Sequence, residues 1–384
     1  MQLTNQDAEK LIRAGVDALQ QGRAADARDR FAQVTATGRA NAQVWLLLAA
    51  ACHGAGDITG QEAAVDQLLK LEPRAIRGHI MKADCRAAAG DDIGALTFYT
   101  SALLAAKDER LPGDLAAEVQ RADNAAVTLK ARFEVEREAL FAARGLPAAT
   151  RSPRFQQSLD ILAGRKRVFV QEPTGYYFPG LPQIQYFDPA DFAWAPAIEA
   201  ATDAIRAEIA PILAAGAGGF RPYIQTDPSR PRLDDNSLAD SKDWSALFVV
   251  ENGRESPDVI ARCPATWAAL QGAPMPRIAN SPTAMFSLLR PGARITPHTG
   301  THNTRLVCHL PLIVPPNCRF RVGNEVRDWE EGKLLIFDDT IEHEAWNDSN
   351  EDRILLIFDI WRPELSDQEQ REIDALFSGP TMSA

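Results

Sequence analysis

The run Arg305-Leu306-Val307-Cys308-His309-Leu310-Pro311-Leu312-Ile313-Val314 alternates with the period of two that an extended strand imposes. Arg305, Val307 and His309 share one face of such a strand, and Leu306, Cys308, Leu310 and Leu312 share the other. The second face is wholly apolar and belongs against a core. Arg305 and His309 therefore point the other way, toward whatever the nearby His298 faces. Around this strand the chain breaks into short extended candidates at 285–289, 295–298, 318–322, 334–337, 342–346 and 353–361. Turn residues part them, among them Pro291-Gly292, Pro315-Pro316-Asn317, Gly323-Asn324 and Glu331-Gly332-Lys333. Many short strands with regular turns predict an antiparallel barrel or jelly roll.

Histidine is concentrated here. Of the chain's six histidines, four lie between His298 and His343. The other two, His53 and His79, fall in a helical region and read as ordinary packing or surface residues. Arg353 opens a strand that is otherwise strongly apolar. A guanidinium buried in such a setting requires an anion, and a carboxylate suits it through paired hydrogen bonds. Alternation alone thus yields a cluster of inward polar groups and leaves the identity of any metal open.

The ordered series Pro297-His298-Thr299-Gly300, Asn303, Arg305, His309-Leu310, Trp329-Glu330-Glu331-Gly332-Lys333, Phe337-Asp338-Asp339, Glu342-His343-Glu344, Trp346 and Arg353 resembles the aspartyl/asparaginyl β-hydroxylase family. The likeness runs over residues 240–365. It implies that His298 and His343 ligate Fe(II) and that Arg353 takes the distal carboxylate of 2-oxoglutarate. It further implies that Ser287 assists at that carboxylate, that His309 lies near the cosubstrate's other end, and that Trp244 belongs to the cosubstrate site. Arg305 and His302 are possible substrate contacts. Val307 departs from the pattern, standing where the animal members carry an arginine, and His302 stands where they have no histidine. Iron oxygenases of this kind normally carry a carboxylate two residues after the first histidine. Here that residue is Gly300, so the resemblance implies two protein ligands, with the cosubstrate filling two further positions. Asp338, Asp339 and Glu344 are read as shaping the turn and orienting His343.

The first half has another period. Gly22, Gly56 and Gly90 are spaced by 56 − 22 = 34 and 90 − 56 = 34 residues. Nine residues beyond each lies a bulky side chain, Phe31, Val65 or Tyr99, and five beyond lie Ala27, Gln61 and Ala95. A helix–turn–helix period of this length resembles tetratricopeptide repeats, which also precede the catalytic module in the family's animal members. Residues 1–108 are assigned to such a solenoid, 109–163 to a helical connector and 164–384 to the jelly-roll domain. The expected class is therefore α+β and multidomain. One more helix, about 189–215, precedes the strands, and Gly216-Ala217-Gly218-Gly219 follows it as a turn, not a phosphate loop.

Bulk properties narrow the partners. Apolar residues make up 45% and charged residues 24%, with a net charge of -11, which suits a globular protein and argues against nucleic acid. The basic run Arg165-Lys166-Arg167 reads as a solvated junction. Five cysteines without a CxxC pair suggest reduced thiols, no stretch is long and apolar enough for a membrane span, and the start lacks signal-peptide character. A cytoplasmic location is expected. The resemblance implies β-hydroxylation of Asp or Asn side chains in a peptide or protein, held in part by the repeats, with oxidation of 2-oxoglutarate to succinate. A small molecule or acyl chain is the alternative substrate. Iron-dependent halogenation and a non-catalytic repeat scaffold are the remaining alternatives.

Overall fold

The computed structural model describes residues 4–38, 40–226, 238–276 and 281–378. The chain divides into two compact units, 1–163 and 164–384.

In the first unit the helices come in pairs: α1 (Asn5–Gln20) with α2 (Ala24–Thr35), α3 (Ala42–Gly54) with α4 (Ile58–Leu71), and α5 (Ile76–Ala88) with α6 (Asp92–Ala106). Gly22, Gly56 and Gly90 end the first helix of each pair at φ +73°, +73° and +76°, a left-handed conformation that glycine enters without a Cβ penalty. Asp57 and Asp91, one repeat apart, cap α4 and α6 by accepting the Gly60 and Gly94 amides, each at 2.8 Å. Phe31, Val65 and Tyr99 are all buried, as are Ala27, Gln61 and Ala95 one turn before them. The two slots five residues past Gly22 and Gly90 hold small residues. The middle slot takes Gln61, whose Oε1 lies 3.3 Å from His53 Nδ1. Residues 113–143 form one helix, α7 (Gly113–Ala143), whose Ala122 and Ala126 join the core around Ile80 and Tyr99. A short α8 (Pro153–Leu162) closes the unit.

Among the described residues the second unit holds twelve strands: β1 (Tyr186–Phe187), β2 (Arg221–Pro222), β3 (Trp244–Glu251), β4 (Arg254–Glu255), β5 (Ala284–Leu289), β6 (Arg294–His298), β7 (Arg305–Ile313), β8 (Cys318–Val322), β9 (Glu325–Asp328), β10 (Leu335–Phe337), β11 (His343–Asn347) and β12 (Arg353–Trp361). They make two antiparallel sheets, one ordered β1-β10-β7-β12-β5-β3-β2 with β4 added on β3, the other β6-β11-β8-β9. The expected jelly roll is therefore a two-sheet sandwich. Among the described residues no pairing joins the sheets into a closed barrel. The helix expected at 189–215 is broken into α9 (Ala195–Ala200) and α10 (Thr202–Ala214) after a 3-10 turn.

Strand β7 shows why the sandwich forms. Leu306, Cys308, Leu310 and Leu312 are fully buried with Ile205 and Ile209 of α10 in one core, on the outer face of the larger sheet. Val307 belongs to a second core, with Phe320, Val322 and Phe337, between the two sheets. Strand β12 repeats the division: Ile354, Leu356, Phe358 and Ile360 join the first core and Leu355 the second. Arg353, Ile357 and Asp359 consequently face inward with Arg305 and His309. All five cysteines are buried and free, and no helix among the described residues is long and apolar enough to cross a membrane.

Candidate functional site

His298 ends β6 and His343 begins β11, and antiparallel pairing sets them directly opposite each other. Their ring centroids are 4.1 Å apart. His298 Nδ1 donates to the Thr296 carbonyl at 2.8 Å, and His343 Nδ1 donates to the Ile341 carbonyl at 3.1 Å. Each ring thus carries its proton on Nδ1 and leaves the Nε2 lone pair free. Burial, then the neighbouring His298, brings the pKa of His343 down to about 3. Burial lowers His298 as well, although one side of it stays open to solvent. Two adjacent neutral imidazoles with unused Nε2 lone pairs are the donor set a transition metal takes.

Among the described residues no group of three or more His, Cys, Asp or Glu side chains could hold a metal ion. Gly300 shows what replaces a third ligand. A Cβ built on Gly300 meets Asp339 Oδ2 at 2.0 Å, so the space beside the first histidine is already filled by another residue's carboxylate. The Gly300 amide donates to the Asp339 carbonyl at 2.7 Å, which ties the two loops together. Asp338, next to it, is fully buried and accepts from Gln171 (2.6 Å), Thr340 (2.6 Å) and Arg362 (2.7 Å), clamping the turn that delivers His343. Burial raises the Asp339 carboxyl to about 7 against the pull of Arg305, and its Oδ1 has no partner among the described residues.

Deeper in the same cavity, of about 560 Å³, lies a set of donors that no carboxylate among the described residues accepts from. Arg353 is 1% exposed and has no carboxylate partner among the described residues. Burial brings its pKa down to about 9, and its Nε has no hydrogen bond to any described residue. Arg353 Nη2 and Trp244 Nε1 each donate to Ser287 Oγ at 3.1 Å. Both lone pairs of that oxygen are then used, which leaves the hydroxyl only its proton to offer. Such a site calls for an anion. His309 lines the same cavity and is held neutral by burial and by Arg353.

Arg305 also reaches the cavity, but it is not free. Its Nη1 donates to Asp359 at 2.6 Å and its Nη2 lies 3.4 Å from Asp339. Burial opposes its charge, but the two carboxylates outweigh burial and raise its pKa. His302 stacks on Phe377 at 4.7 Å, at the rim beside Tyr176. Burial and Arg305 lower its pKa to about 4. Val307 presents a methyl surface where the sequence pattern had an arginine. A second and more open hollow, about 820 Å³ beside Arg221 and Glu251, holds none of these groups.

The structure thus gathers all eight sequence-derived site residues, Trp244, Ser287, His298, His302, Arg305, His309, His343 and Arg353, on one cavity. Residues 199–363 match the family described as aspartyl/asparaginyl beta-hydroxylase. This segment belongs to that family.

The relatives differ in what their names say they act on. The mouse aspartyl/asparaginyl beta-hydroxylase is 38% identical over 144 residues, which is 37% of this chain and 19% of that one. The ornithine lipid ester-linked acyl 2-hydroxylase of Rhizobium tropici is 39% identical over 180 residues, 46% of this chain and 60% of that one. The chain therefore spans about a fifth of the first relative and three fifths of the second. Among solved structures, PcrH from Pseudomonas aeruginosa is similar over 33% of this chain and 94% of its own, with 21% identity and a TM-score of 0.30.

Two site residues do more than the sequence indicates. Beyond its place in the turn, Asp339 sets its carboxylate against Gly300 inside the cavity. Trp329 was only part of a motif, yet its indole touches both His309 and Arg353. A buried aromatic flanked by charged residues was the available signal.

Proposed function

We propose that the chain is an Fe(II)- and 2-oxoglutarate-dependent hydroxylase. The observation that carries this is Arg353: a buried guanidinium with no counter-ion, at the inner end of the cavity whose wall holds the paired histidines. His298 and His343 would hold the metal through Nε2. Arg353 and the Ser287 hydroxyl would hold the distal carboxylate of the cosubstrate, with Trp244 fixing Ser287. Bound iron and cosubstrate supply the oxidising power, turning 2-oxoglutarate and dioxygen into succinate, carbon dioxide and an oxygen atom inserted into a C–H bond. The chain's own residues orient these partners. The filled space at Gly300 speaks against a halide site and so against halogenation.

Two substrate classes follow from the relatives, an Asp or Asn side chain of a peptide and an acyl chain. The geometry favours an uncharged aliphatic carbon. Arg305 is already neutralised by Asp359, with the Asp339 carboxyl beside it, and Val307, Met285 and Ile357 line the cavity. A substrate carboxylate gains little from a guanidinium already so held. The helical repeats are assigned to holding a peptide or protein partner on a concave face, and the buried free thiols support a reducing, cytoplasmic setting.

The test is anaerobic titration with Fe(II) and 2-oxoglutarate. The wild type binds both, and His343→Ala loses the metal. A wild type that takes up neither sinks the enzyme reading. Succinate release with acyl-chain amphiphiles and separately with Asp-containing peptides decides the substrate, and turnover confined to the peptides overturns the aliphatic reading.

A further inference from the structure

Resting on the cosubstrate reading above, we propose that Trp329 is a positioning residue that makes His309 an Nε2–H donor and so builds a second anchor for the cosubstrate anion. The indole follows β9 and is 6% exposed. Its N–H lies 3.3 Å from His309 Nδ1. An indole nitrogen can only donate, so Nδ1 presents its lone pair. The one proton of a neutral imidazole then sits on Nε2. Nε2 has no hydrogen-bond partner among the described residues, and the ring lines the cavity. The opposite tautomer presents a lone pair to an incoming carboxylate and repels it. This arrangement is the reverse of that at His298 and His343, where backbone carbonyls keep the proton on Nδ1. The same fold therefore sets two tautomers in one cavity, lone pairs toward a metal and a proton toward an anion.

The same ring also serves Arg353. The guanidinium carbon of Arg353 lies 5.0 Å from the indole centroid. A π face attracts a cation without using any of its N–H groups, so Arg353 is partly compensated for burial while its donors stay available. Phe320 fixes the indole plane, stacked at 5.4 Å and 22°, and is itself braced by Phe337 at 4.7 Å. Trp329 thereby conditions both anion-binding residues without being a ligand of the anion.

The experiment uses the full chain labelled with nitrogen-15 histidine, with the His309 signals assigned by their loss in His309→Phe. The metal-free wild type shows His309 as the Nε2–H tautomer. Trp329→Phe keeps a ring under Arg353 but removes the N–H. It mixes the His309 tautomers and weakens 2-oxoglutarate binding about tenfold in anaerobic titration with Fe(II), the size of one lost hydrogen bond to a charged group. Trp329→Leu loses the π contact too and weakens binding further, while kcat at saturating cosubstrate changes little in both. A wild-type His309 protonated at Nδ1 overturns the inference, whether or not any variant folds. Unchanged affinity and tautomer in Trp329→Phe overturn it as well. A wild type that binds no 2-oxoglutarate removes the cosubstrate reading itself and with it the anchor.

Discussion

Arg353 is a charge folded into the protein ahead of its counter-charge. Replacing an unpaired buried ion by an apolar side chain of similar length relieves its desolvation. Arg353→Met should therefore raise the melting temperature of the ligand-free protein, by the equivalent of about 1–4 kcal/mol, and abolish the stabilisation that 2-oxoglutarate gives the wild type. A variant that melts lower than wild type sinks this account of Arg353. Asp339 makes a pH prediction. Its carboxyl is raised to about 7 in the folded chain from 3.8, so across that window the unfolded chain binds fewer protons and stability falls as pH rises. Asp339→Asn removes this slope. The melting temperature of the variant minus that of wild type should grow more positive between about pH 4 and pH 8, and a flat difference in calorimetry refutes it. Of these residues, Arg353 was legible because a strand's alternation marks a charge on an inward face. The pairing of Arg305 with Asp359, and of Gly300 with Asp339, was not, because each joins segments whose separation in sequence carries no periodic signal.

At the scale of elements, legibility followed period and length. Strands β7 and β8 were readable because polar and apolar residues alternate over five or more positions. Strand β3 went unread: nearly every residue from Trp244 to Val250 is buried, and an apolar run covered on both faces looks the same as a buried helix. The two-residue strands β1, β2 and β4 are too short to show any period. The 34-residue spacing of glycines was readable because the same turn recurs and asks each time for the same positive φ. Gly56→Ala tests this. With nothing within 4 Å of an added Cβ, the cost is conformational alone, about 1 kcal/mol, measured by chemical denaturation of the helical unit. A loss of several kcal/mol points instead to packing and is the wrong outcome for this argument.

For the whole molecule, the division at residue 163 separates contacts, and stability should divide with them. Calorimetry of the intact chain should resolve two transitions, and 2-oxoglutarate with Fe(II) should raise only that of the C-terminal unit, by about 2.7 kcal/mol at a hundred times the dissociation constant. A ligand that shifts both transitions equally contradicts the assignment of the site to one unit. The three helix pairs are each joined by the same glycine turn and bury equivalent side chains, whereas the cavity draws on strands from β3 to β12. In genetic terms the two halves tolerate different accidents. An in-frame duplication or loss of one repeat leaves every remaining helix with a neighbour of the same shape, so the helical unit can change length across generations. Any comparable insertion within the sandwich parts residues that work only together, so change there is confined to substitution.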